Sequence, residues 1–124
     1  MNEGERGLVK QMEGPFLKYV LQSQIDLLRR ERAYQHGRNS KTMAKYPDFR
    51  IVLTVIKAGA HMQKHTATGR ISVQVVDGHI RMQVREELFD LPVGHLLVLD
   101  RGIPHNVDGV NDNAFLLTIA WPEG

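Results

Sequence analysis

The sequence predicts a mainly β fold, a sandwich or closed barrel, with one α-helix ahead of it. Three observations lead there. Short runs of apolar and β-branched residues recur from residue 50 to the C-terminus. Turns rich in Gly and Pro separate them. A single helical pattern is present, and it precedes the strands.

The 124 residues suit one domain with a modest core. Residues 1–14 are polar, carry three glycines and show no periodicity. The run PFLKYVLQSQIDLLRRERA then places Leu17, Leu21, Ile25 and Leu28 on one stripe, with Phe16 and Val20 beside it. Pro15 suits a first helical turn and His36-Gly37 a helix end, so about five turns of amphipathic helix are expected. Such a helix needs a surface to lie on. RNSK follows as a polar breaker. The chain thus divides into a tail and helical arm, residues 1–41, and a β unit, residues 42–124.

RIVLTVIKAG (50–59) is nearly continuous in apolar residues, as in a strand buried on both faces. RISVQVV (70–76) and HIRMQVR (79–85) alternate, and Asp77-Gly78 between them is a two-residue hairpin signal. That hairpin would pair Val75 with Ile80, Val73 with Met82 and Ile71 with Val84. These six residues then face the interior, while Gln74 faces out. LLVLD (96–100) and AFLLTIAW (114–121) complete the strands.

Composition narrows the function. Without cysteine there is no disulfide framework, thiolate metal site or cysteine nucleophile. No run approaches 18 apolar residues, so no membrane span is expected. The start lacks the apolar core of a signal peptide, which makes a cytoplasmic protein the expectation. Net charge is +2: residues 1–50 hold ten Lys/Arg against six Asp/Glu, and residues 51–124 hold six against eight. The basic run LLRRERAYQ reads as a solvated helix face, diluted by Asp26 and Glu31, and no nucleic-acid partner is expected. There is no phosphate-cradling glycine loop and no nucleophile with a paired base.

The stretches AGAHMQKHTATGRISVQVVDG (58–78) and PVGHLLVLDRGIPH (92–105) resemble the two motifs of the cupin superfamily, in its small single-domain members. The resemblance covers residues 42–121. It rests most on Pro92, Gly94, Gly102, Pro104 and His105: a Pro-x-Gly turn, a short apolar strand and a Gly-Ile-Pro-His. It implies a double-stranded β-helix, the jelly-roll barrel, behind the N-terminal helix, with an RmlC-like architecture. Counted back from Gly78, His65 stands at the first motif histidine, Ala67 at the second and Ile71 at the glutamate. His105 stands at the second-motif histidine. Two of four metal ligands are thus kept.

His61 is the candidate third ligand. Residues four apart in an extended strand lie about 13 Å apart, too far for one metal, so His61 can join only if the chain bends. The set His65, His105 and His61 would bind one divalent transition metal, Zn, Fe, Mn or Ni. A ligand pocket in the barrel mouth would be lined by His65, Ile71, Val73, Met82 and His105.

Two functions follow. The first is a cupin barrel that binds a small molecule without catalysis, in the manner of a sensor module. The second is a metal-dependent enzyme of dioxygenase or isomerase type using His65 and His105 with an atypical third ligand. A metal-free enzyme with a histidine base would need a proton donor, for which Tyr46 is the nearest candidate. No catalytic residue is assigned. The helix also favours a homodimer in which it clasps a partner barrel.

Overall fold

The computed structural model describes residues 12–121. The tail reading for residues 1–11 lies outside the described residues. Helices α1 (Leu21–Arg30) and α2 (Arg32–Gln35) precede nine strands: β1 (Arg38–Tyr46), β2 (Phe49–Ile56), β3 (His61–His65), β4 (Arg70–Asp77), β5 (His79–Val84), β6 (Glu87–Pro92), β7 (Leu96–Leu99), β8 (His105–Gly109) and β9 (Asn113–Ala120). They form two antiparallel sheets, β1-β2-β9-β4-β7 and β3-β8-β5-β6. No helix among the described residues is long and apolar enough to cross a membrane.

The helix is shorter than the periodicity predicts. Residues 15–20 are not helical, and Phe16 is 81% exposed. Bonds to β1 hold this segment. The Lys45 amide donates to Met12 O at 2.6 Å and the Tyr19 hydroxyl to Met43 O at 2.7 Å. β1 thus supplies partners that a further helical turn would have to replace. At Glu31 the backbone turns extended (φ −77°, ψ 151°). Asn39 donates there to Leu28 O and to a Glu31 carboxylate oxygen. The stop at Gly37 is as expected: its φ is +119°, and its amide donates to Tyr34 O.

Ile25 and Leu28 of α1 are buried with Leu53 and Val55 of β2, Met43 of β1 and Ala114 of β9. The helix therefore covers the outer face of its own five-stranded sheet. RNSK is no breaker but the start of β1, so β structure begins at Arg38 rather than Thr42. An edge strand exposes its polar side chains without cost, which hides it from a hydrophobicity pattern.

Asp77-Gly78 does not close a hairpin. β4 pairs with β7 and β9, and β5 pairs with β6 and β8, so the chain crosses from one sheet to the other at this point. Gly78 has φ +70°, but Asp77 stays in the β4–β9 ladder beside a bulge. A type I′ turn needs positive φ at both positions. The predicted inward faces are nevertheless right. Ile71, Val73, Val75, Ile80, Met82 and Val84 all join the core between the sheets, and Gln74 is exposed. Alternation depends on which face meets the core, whichever strand is the neighbour.

Candidate functional site

β3, β5 and β8 meet at one end of the four-stranded sheet. The last residue of β3, His65, is in register with the first of β8, His105, and His105 with Val84 at the end of β5. His105 is 4% exposed. Its Nδ1 lies 2.9 Å from Ile103 O. A carbonyl can only accept, so Nδ1 carries a proton, which turns Nε2 to the other side of the ring. The Gly-Ile-Pro-His turn thus orients its own histidine.

A cleft of about 360 Å³ reaches His105. Its other walls are Lys64, Gln83, Arg85, Pro104 and Asn106. Gln83 and Asn106 are cross-strand partners, one rung in from Val84 and His105. Arg85 begins the two-residue turn between β5 and β6, where Val84 pairs with Glu87. Its φ of +55° is the one positive value at a non-glycine position among the described residues. Such a conformation costs about 1–3 kcal/mol and favours Gly or Asn.

Of the five anticipated pocket residues, His105 lines this cleft, and Ile71, Val73 and Met82 do not. Ile71, Val73 and Met82 are 3%, 1% and 0% exposed, buried in the core with Ile56, Ile80 and Phe115. They are packing residues, and the cleft opens at the end of the sheet instead. For His65 the structure describes the backbone, in β3 and paired with His105; its side chain lies outside the described parts.

His61 is not brought to His105. Met62 pairs with Val107 and His65 with His105, so β3 spends three residues where β8 spends two. This bulge changes the alternation. Met62 packs on the core, and His61 faces out, with Nδ1 2.5 Å from Asp108 Oδ1. Of the expected ligand set His61, His65 and His105, His61 thus stands apart from His105. Among the described side chains, no three His, Asp or Glu groups could hold a metal ion together. The described donors therefore do not fit the three-ligand set of a catalytic zinc. Ala67, at the second motif histidine, packs on the core, and Ile71 at the glutamate is buried in it.

Tyr46 is committed elsewhere: its hydroxyl donates to Gly14 O at 2.6 Å. It lines a different cleft, with Met12 and Arg50. His79 meets Asp90 at 3.1 Å on the outer surface, and His36 and His95 are exposed.

The topology, the helix ahead of it and the His105 turn can be compared with known proteins. No family model matches the sequence, and no curated protein matches it. Solved structures do. An RmlC-like cupin protein from Desulfovibrio desulfuricans matches with a TM-score of 0.69 and 25% identity, over 85% of this chain and 97% of that one.

The chain folds as a small cupin domain.

A cupin superfamily protein from Desulfitobacterium hafniense matches with a TM-score of 0.71 and 14% identity, over 90% of this chain and 95% of that one. A conserved protein of unknown function from Streptococcus pyogenes matches at 0.69 and 20%, over 92% and 94%. The matched lengths take in the helical arm as well as the barrel. In the sequence, the cupin motifs point to His105 but not to Lys64, Gln83, Arg85 or Asn106. The one available signal was Arg85-Glu86, a two-residue turn between strands with neither Gly nor Asn.

Proposed function

We propose that this cupin barrel binds a small molecule in the cleft beside His105, as a binding or sensor-like module. The observation that carries the reading is the state of His105. It is buried, it is locked through Nδ1 by Ile103 O, and it lines a cleft at the barrel end. A fixed ring in a cleft of this size offers an oriented polar contact among polar and charged walls. The metal-dependent reading receives less support. A ligating histidine does donate its second nitrogen to a carbonyl, as His105 does. The described residues supply no third ligand, so no metal-assisted step is assigned.

The test is a thermal-shift screen of small acids, sugars and phenols against the full chain and His105→Ala. At least one class should raise Tm, and the rise should vanish in a His105→Ala protein with wild-type circular dichroism. No shift from any class, or one that survives the substitution, would count against the reading.

Self-association belongs to the same proposal, with a changed basis. The helix stripe is covered by its own sheet, so the helix no longer calls for a partner. Support comes instead from β7, an edge strand whose Leu96 and Val98 are 60% and 62% exposed. Sedimentation at micromolar concentration should give a dimer for wild type and a monomer for Leu96→Lys/Val98→Lys. A wild-type monomer would remove this part.

A further inference from the structure

We propose that the cleft at the end of the four-stranded sheet selects a small organic carboxylate, with Arg85 and Lys64 holding its oxygens. The inference rests on the reading of the His105 cleft as a ligand site. Two cations, two side-chain amides and one imidazole converge there: Arg85, Lys64, Gln83, Asn106 and His105. No carboxylate side chain among the described residues lines it; Glu86 and Glu87 follow Arg85 in the chain but form none of its walls. Lys64 and Arg85 make no ion pair among the described residues, whereas Arg29, Arg70 and Arg81 each meet an aspartate. An anion entering the cleft would complete a charge balance that the chain leaves open on this side.

Arg85 gives a second, independent observation. Strained backbone positions cluster at functional sites, and Arg85 is held at φ +55°. The guanidinium is the one part of Arg85 that a glycine could not supply. Its fork matches the two coplanar oxygens of a carboxylate. Phosphate is the less suitable oxyanion. Phosphate sites draw on helix N-termini or nests of backbone N–H groups, and this cleft is walled by strand side chains and a proline.

The experiment is a residue-resolved NMR titration of the full chain with sodium succinate at fixed ionic strength. Inorganic phosphate and succinamide are run in parallel. Succinate should shift the amides of Lys64, Gln83, Arg85 and Asn106 saturably. Lys64→Gln and Arg85→Gly should each weaken it about tenfold or more. Arg85→Gly should do so without lowering Tm, because glycine suits the φ. That result would separate a ligand contact from a structural role.

Equal affinity for succinamide would overturn the carboxylate assignment while leaving the cleft a ligand site. Tighter binding of phosphate than of succinate would overturn it in favour of a phosphorylated ligand. Unchanged affinity in both variants would remove the two cations from the site. If none of the three probes shifts these amides, the proposal fails, and the wider reading then rests on the thermal-shift screen alone.

Discussion

Arg29 of α1 holds Asp77 at the end of β4, Nη2 to Oδ2 at 2.7 Å, across 48 residues of sequence. The pair ties the helical arm to the point where the chain leaves the five-stranded sheet. Arg29→Ala should loosen the arm. The pair is partly exposed, so solvent screening limits the loss to about 1 kcal/mol. Urea denaturation of Arg29→Ala, Asp77→Asn and the double variant would read the coupling. Additive single effects would show that the contact adds nothing.

Gly78 admits no side chain. Its φ is +70°, and a Cβ would stand 2.1 Å from the backbone oxygen of Asp112. Backbone cannot step aside as a flexible side chain can. Gly78→Ala is expected to cost about 2 kcal/mol or more, through both φ strain and displacement of the Asp112 carbonyl. The check is the midpoint of chemical denaturation. A midpoint within error of wild type would mean that the crossover is not built as described.

Met82 separates core from pocket. It is fully buried between the sheets and lines no part of the His105 cleft. Met82→Ala should cost about 2–5 kcal/mol through the cavity it leaves. Any ligand found for the cleft should bind the folded variant with unchanged affinity. A large change in affinity would place the ligand inside the barrel instead.

Two exposed aspartates set part of the acid response. A side-chain hydrogen bond from Arg81, helped by one from His79, holds the Asp90 carboxyl below its ordinary 3.8. The Arg101 amide, then the charge of Arg70, does the same for Asp100. A carboxylate whose folded value lies below its unfolded one stabilises fully above the unfolded value. That contribution fades as pH falls through the lowered folded value. Asp90→Asn and Asp100→Asn should therefore flatten stability against pH below about 4 and leave its shape at neutral pH unchanged.

Tyr34 acts at the other end of the scale. Burial first, then the Asp112 carboxylate, push its hydroxyl above 10.0. Its stabilising share is full below 10.0 and is lost as pH rises through the raised folded value. Tyr34→Phe should reduce the loss of stability on alkaline titration, followed by circular dichroism. An unchanged alkaline limb would assign that loss to other groups.

The inward faces of β4 and β5 were legible from one residue to the next, because burial of alternate positions needs only a core on one side. The partners of those strands were not. Asp77-Gly78 carries the local signature of a hairpin, yet β4 finds β9 and β7 and β5 finds β8 and β6. The two jelly-roll motifs likewise led to His105, because a Gly-Ile-Pro-His turn is contiguous in sequence. The cleft around it draws on residues 64, 83, 85, 104, 105 and 106, from three strand ends. No single stretch of sequence contains that set.

By itself, the sequence determined a mainly β domain behind an amphipathic helix, six inward-facing core residues, the Gly37 stop and the buried histidine of the second motif. Each follows from interactions between neighbours a few residues apart: alternation, helical period, or turn chemistry. The tertiary structure alone decided where the helix begins, which strands pair, and that a one-residue bulge in β3 turns His61 away from His105 toward Asp108. Those outcomes depend on hydrogen bonds and packing between segments tens of residues apart. A bulge leaves almost no trace in composition, yet one added residue exchanges the two faces of a strand.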